Sequence, residues 1–273
     1  MFERTSMDTA NHLSVRLHAG FNANVMLGGL MALYELTGPM MSAVADRLFP
    51  TLTTRITLLP AAVNAIAGWR CEVNVTEKVA PSSHDATSTT EPQPSHGHGH
   101  GHGHMHRSLA TILAYYDQGT LSEAALQRAE AIWLTLAHAE ARVHGTTPEH
   151  VHFHEVGRLS NVVAIGLIAH LMTKTGLTLS ASPVPVTDGV IHCAHGLVAN
   201  PAPSLCALLT DLPVRPLETK GEPITPTGLA ILRGLKATFG PWPAMSVARI
   251  ETVYTPYVFP DVPNGARFVL GTL

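Results

Sequence analysis

Apolar residues over 13–17 predict a first strand, and after Gly20 those over 25–36 predict a helix closed by Gly38 and Pro39. Trp69, Cys71, Val73 and Val75 then alternate with Arg70, Glu72, Asn74 and Thr76. That period of two marks a strand with one face buried. Further on, Thr120 and Glu123 form a capping-box pattern, and Leu126, Ala129, Trp133, Leu136 and Val143 trace an apolar helix face up to the stop at Gly145. Residues 160–175 are apolar almost all round, which predicts a buried helix ended by Gly176. In the proline-rich last third, Val184 and Val186 are expected to meet Val190 across a Thr187-Asp188-Gly189 turn. Short helices are expected after Pro201 and at Thr225-Pro226, where threonine caps and proline occupies the first helical position. No segment repeats at a fixed period. Strands alternating with helices predict an α/β or α+β fold, a mixed sheet with helices packed on it. Residues 1–80 read as an N-terminal α/β portion, and 107–273 as a helical segment followed by an α/β portion of the same domain.

The pattern breaks over 81–106, where Pro, Ser, Thr, His and Gly replace apolar residues. Such a stretch has too little apolar surface to fold alone and reads as disordered until metal arrives. It contains His96, His98, His100, His102, His104 and His106, spaced by glycine and one methionine. Neutral imidazole ligates nickel, zinc and copper, and glycine at alternate positions lets two or three rings reach one ion. The tract therefore reads as a loop that captures or buffers a borderline transition metal. A low-complexity linker that is incidentally His-rich is the plain alternative. Its internal position and interrupting glycines argue against an expression tag.

Composition narrows the classes. A chain of 273 residues with 45% hydrophobic content can bury a sizeable core, and a net charge of −3 argues against nucleic acid or an anionic membrane surface as the main partner. The 17 histidines make that charge depend on pH, and protons compete with metal for them. Cys71, Cys193 and Cys206 share no C-x-x-C spacing, which excludes a zinc site built from four cysteines and suits a reducing compartment. The opening residues show no apolar signal-peptide core, and the most apolar run, 162–172, is too short to span a bilayer. A cytoplasmic homo-oligomer is the expectation.

Ordered candidates for chemistry follow the loop. His144, His150, His152, His154 and Glu155 form a second cluster. In an extended chain His152 and His154 would share a side, roughly 6–7 Å apart, whereas in a helix His150 and His154 would pair. Either pair could share a metal with a carboxylate as third ligand, and a surface run of histidines explains the same residues. His192 and His195 flank Cys193, a weak ligand signal beside the alternative of a structural cysteine. Thr225, Thr227 and Gly228 open a helix whose free amides suit an anion such as phosphate, although ordinary capping also accounts for them. No G-x-x-x-x-G-K-[ST], H-E-x-x-H or G-x-S-x-G motif is present, which removes GTPase-type metallochaperones and the common metalloprotease and serine-hydrolase signatures.

These segments together resemble the family that inserts nickel into the pincer cofactor of lactate racemase. The likeness is carried by Leu121-Ser-Glu, Ala139-Glu-Ala-Arg-Val-His144-Gly145, Val151-His-Phe-His-Glu-Val-Gly157, Pro183-Val-Pro-Val, Ala194-His-Gly196, Asn200-Pro-Ala-Pro203 and Gly221-Glu-Pro-Ile-Thr-Pro-Thr-Gly228. The resemblance implies a nickel chelatase that loads Ni2+ into pyridinium-3,5-bisthiocarboxylic acid mononucleotide in a CTP-dependent reaction. It also implies that the loop gathers nickel, that His152, His154 and Glu155 relay it, and that His195 joins them.

Two departures stand out. Where the family has D-S-x-A-D after H-E-V-G, this chain has Ser160-Asn-Val-Val-Ala164, and where it has D-x-x-S-G-x-S-G-D-M, Arg16 and Asn24 replace the acids. Carboxylates are the usual ligands for Mg2+ or Mn2+ beside a nucleotide. The resemblance also implies that the chain is the N-terminal half of a longer pattern, with CTP and Mg2+ or Mn2+ held by a separate C-terminal nucleotide-binding chain. Two functions follow: a nickel-insertion protein, or a non-catalytic nickel-binding and storage paralogue that lost the acids. A structural subunit with an incidental His loop is a third.

Overall fold

The computed structural model describes residues 9–78, 107–193 and 196–273, so the six-histidine tract and His195 lie outside the described residues. In chain order the elements are β1 (His12–Leu17), α1 (Ala23–Leu33), α2 (Gly38–Leu48), β2 (Leu52–Val63), β3 (Ile66–Glu77), β4 (Arg107–Ser108), α3 (Leu109–Asp117), α4 (Glu123–His144), β5 (His152–Phe153), α5 (Leu159–Thr175), β6 (Thr178–Ala181), β7 (Val184–Val186), β8 (Gly189–Cys193), β9 (Gly196–Asn200), α6 (Pro203–Leu208), β10 (Val214–Pro216), α7 (Pro226–Gly234), β11 (Thr238–Phe239), β12 (Ser246–Val253) and β13 (Ala266–Thr272). The fold is mixed α/β. Among the described residues no helix is long and apolar enough to cross a membrane.

Seven strands form one sheet in the order β11-β6-β1-β13-β12-β3-β2. β1 lies beside β6 in parallel and beside β13 antiparallel, and all six of its residues are buried. On its polar side the His12 ring bonds Thr178 Oγ1 at 2.7 Å and Ser180 Oγ at 2.8 Å of the neighbouring strand. β2 and β3 form a long antiparallel hairpin, joined to β12 in register only at Val253 and Trp69.

α1 lies on this sheet against β3, β12 and β13, and α5 contacts both α1 and β3. Ten residues of α1 are buried, which is why its sequence shows so little amphipathic bias. Close approach to the sheet depends on glycine: a Cβ at Gly29 would overlap the Phe268 ring. α4 packs outside α5 and also contacts α6 and α7, so the core runs from the sheet through α1 and α5 to Trp133 and Leu136.

Several local expectations are corrected. Gly38 and Pro39 open α2 under a Thr37 cap instead of merely closing α1. The cap of α4 is Ser122, whose Oγ accepts from the Ala125 amide, and Val143 is exposed. The expected hairpin across residues 187–189 does not form. β7 pairs in parallel with β10, while Val190 on β8 faces Ala199 on β9. Gly145 and Gly176 do end α4 and α5, both in the left-handed conformation.

Candidate functional site

The segment His152-Phe-His-Glu155 is neither a continuous strand nor a helix. It is a two-residue strand between short 3-10 turns at Pro148–His150 and Glu155–Gly157. Its anchor is Phe153, fully buried with its ring 5.4 Å from that of Trp133. Trp133 Nε1 donates to Tyr116 Oη at 2.7 Å, and that hydroxyl donates to the Val162 carbonyl at 2.8 Å. Arg107 pairs with Phe153 across β4 and β5 and donates from Nη1 to the Gly157 carbonyl at 3.2 Å, closing the turn from outside. With Phe153 fixed inward, His152 is exposed, and His154 leaves the strand to line a cavity. The expected sharing of one side by His152 and His154 is therefore corrected, as is the helical pairing of His150 with His154. His150 instead shares a hydrogen bond with Thr147 Oγ1 at 2.9 Å.

The cavity that His154 enters holds about 240 Å³. Glu140, Val143 and His144 border it from the end of α4, Glu155 and Val156 from the second 3-10 turn, and Ile191, Cys193 and Val198 from the β8–β9 hairpin. Ala202, Pro203 and Ser204 come from the start of α6, with Glu222 and Pro226 from the approach to α7. The His144 and His154 rings lie 6.5 Å apart, and His144 Nε2 is 3.6 Å from Glu140 Oε2 one helical turn back.

Glu222 is positioned by backbone tethers on both sides. Asn200 Nδ2 donates to the Gly221 carbonyl at 3.0 Å and also bonds Thr187 Oγ1, while the Pro223 carbonyl accepts from the amides of Gly20 and Phe21 at 2.8 and 2.9 Å. Its Oε1 is buried with no hydrogen-bond partner among the described residues. Burial, and then the charge of Glu155, raise the Glu222 carboxyl to about 7. A carboxyl in that state binds a proton or a cation readily near neutrality.

Other expected residues fall elsewhere. Thr225 caps α7, its Oγ1 accepting from the Gly228 amide at 3.1 Å. Thr227 is buried, and a Cβ at Gly228 would come within 2.7 Å of the Phe21 carbonyl oxygen. These three hold α7 against the start of α1, and of this helix start Pro226 faces the cavity. Cys71 is a core thiol, pushed up to about 12 by burial and then by Glu72. Cys193 is half-buried at the cavity wall, not the buried structural cysteine weighed from sequence. Glu140 and Glu222 were missed as site residues, although both lie inside motifs quoted above. The signal for Glu140 was its i,i+4 spacing from His144. Among the described residues no three His, Cys, Asp or Glu side chains are grouped closely enough to hold a metal ion.

A family model described as nickel insertion protein matches residues 13–272. The chain belongs to the nickel insertion protein family. Curated relatives include a protein of Geotalea uraniireducens (strain Rf4) bearing the name "Putative nickel insertion protein", 40% identical over 166 residues that cover 60% of this chain and 43% of that one. Another, from Geobacillus kaustophilus (strain HTA426), is the pyridinium-3,5-bisthiocarboxylic acid mononucleotide nickel insertion protein, 36% identical over 60% of this chain and 40% of its own. A protein of the same name from Staphylococcus epidermidis (strain ATCC 35984) is 37% identical over 53% of this chain and 37% of its own. The matched stretch thus spans about two fifths of these relatives. No solved structure matches. Four of the segments that carried the family resemblance, 139–145, 151–157, 200–203 and 221–228, contribute side chains to the lining of this cavity.

Proposed function

We propose that this chain hands nickel to the pincer-cofactor precursor, pyridinium-3,5-bisthiocarboxylic acid mononucleotide, as the N-terminal half of a nickel chelatase. The observation that supports this reading is the convergence of four of the family's motif segments on one cavity whose walls offer imidazole, carboxylate and thiol donors. Such a mixed set suits a borderline divalent ion. Nickel is the cargo. The tract from His96 to His106 collects it, and exposed His152 passes it to His154 and Glu155 at the cavity, where Glu222 adds a carboxylate along the path and His195 joins the relay. An incomplete ligand set releases an ion more easily than a closed tetrahedral one, and release is what insertion needs.

A magnesium or manganese nucleotide does not fit the described residues. The positions matching the family's acids carry Arg16, Asn24, Ser160 and Ala164, so none of them supplies the carboxylate that usually anchors Mg2+ or Mn2+. A CTP requirement belongs to a separate C-terminal nucleotide-binding partner.

The test is nickel loading of the purified precursor, with CTP, by this chain alone and with that partner. Nickel-bearing product with the partner present is expected, and Glu222→Gln is expected to slow its formation. No product in either case would end the reading. The four replaced acids favour one rival, a nickel-storage paralogue, which would bind several ions per chain without turnover and lose most of them on deletion of residues 96–106.

A further inference from the structure

β1 turns its apolar residues Leu13, Val15 and Leu17 toward the core cluster, so Ser14 and Arg16 project from its other side. Arg16 stands directly opposite Arg267 of β13 in antiparallel register. Opposed residues in such a pair point the same way, and two like charges placed so destabilise the sheet. A third cation enters from β10, where Arg215 Nη2 donates to the Leu17 carbonyl at 2.8 Å, next to His18. Arg16 is held in place: its Nη1 lies 3.3 Å from the Pro241 carbonyl, and its guanidinium carbon lies 5.0 Å from the centre of the Trp242 ring. Among the described residues, none of these three arginines makes an ion pair with a carboxylate.

Three guanidiniums, two of them held by backbone carbonyls and Arg267 exposed beside them, gather at one end of a central strand with no carboxylate partner among the described residues, an arrangement that suits an anion. Their planar forks match tetrahedral oxyanions. Trp242, half exposed beside them, offers a flat surface to a ring attached to that anion. We propose that Arg16, Arg215, Arg267 and His18 form a binding site for the phosphate group of a phosphomonoester. His18 lies within the reach of all three arginines and agrees with the assignment. Burial and then Arg267, Arg215 and Arg16 lower its pKa to about 4, so near neutrality the ring is uncharged and can donate a hydrogen bond to a phosphate oxygen. Two residues beyond it, the Gly20 amide binds the Pro223 carbonyl beside Glu222, so the end of β1 links this cluster to the cavity.

Free phosphate and a phosphorylated organic molecule share this chemistry, and the experiment separates them. Metal-free full-length chain is titrated calorimetrically with inorganic phosphate, with nicotinic acid mononucleotide and with the corresponding riboside. The use of metal-free protein keeps the result separate from that of nickel loading. The mononucleotide is expected to bind more tightly than either, and Arg215→Gln and Arg267→Gln are each expected to weaken it about tenfold, the scale of a charge-assisted hydrogen bond. The His18 pKa, followed by NMR, should rise on saturation with mononucleotide, because the bound anion offsets the guanidiniums on β1, β10 and β13. Equal binding of mononucleotide and riboside, or unchanged binding by both variants with thermal melts like the parent's, would overturn the proposal. Equal binding of phosphate and mononucleotide would overturn the organic part of the assignment.

Discussion

At the residue scale the cavity's chemistry turns on Glu222, whose carboxyl is raised to about 7, by burial and then by Glu155. A carboxyl raised in the folded state binds a proton that the unfolded chain has already released, so stability from this group is present at low pH. It is lost as pH rises from the ordinary carboxyl value to about 7. Ionised Glu222 therefore costs the folded protein about 3 kcal/mol above neutrality. Glu222→Gln is expected to remove that loss, so urea titrations at about pH 5 and pH 8 should show the variant gaining on the parent at the higher pH. Equal pH dependence in the two proteins would show that the carboxyl is not held as described. Sequence alone made His154 and Glu155 visible, because His and Glu are ligand types in any context. Glu222 was hidden because its character comes from burial against a neighbour 67 positions earlier in the chain.

At the element scale, long helices and the central strand could be read directly, since their periods survive burial. α5 is apolar nearly all round and its boundary glycine is in the sequence, so its limits needed no tertiary information. β2 escaped because the buried side of its first half alternates Leu52, Thr54 and Ile56, and a buried threonine blurs the hydrophobic period. The turn expected across residues 187–189 has hairpin chemistry, yet Asn200 binds the Thr187 carbonyl at 3.1 Å, and the strand beside β7 arrives from Val214. Non-local parallel pairing leaves no short-range trace. The cap of α4 gives a direct check: Ser122→Ala is expected to cost about 1 kcal/mol in thermal or urea unfolding, and Thr120→Ala close to nothing. Phe153 is a stronger probe of the His152–Glu155 segment. Phe153→Ala should cost about 3–5 kcal/mol and weaken nickel binding by loosening His154, whereas exposed His152→Ala should leave stability unchanged. A Phe153→Ala variant as stable as the parent would mean that Trp133 is not its packing partner.

At the scale of the whole molecule, residues before and after the histidine tract share one sheet: β1 lies between β6 and β13, and β3 beside β12. Segments far apart in sequence therefore meet at the cavity and at the arginine cluster, and no reading of local pattern could bring them together. The fold class was readable from alternation of element types, but strand order was not, because it is set by side-chain packing between elements more than 100 residues apart, as with His12 on Thr178 and Ser180.

The junction of β3 with β12 carries a further consequence. Twelve residue pairs zip β2 to β3, whereas one registered pair, the Tyr254 amide on the Trp69 carbonyl at 2.8 Å, and side-chain bonds from Trp69 Nε1 to Glu251 and from Tyr254 Oη to the Ile66 carbonyl join that ribbon to β12 and its following turn. Such a seam lets the ribbon open as its own cooperative unit. Native-state hydrogen–deuterium exchange should then show the amides of β2 and β3 sharing one opening free energy, below that of β1 and β13. A common value for all four strands would mean that α1, lying over both sides of the seam, clamps the two parts into one.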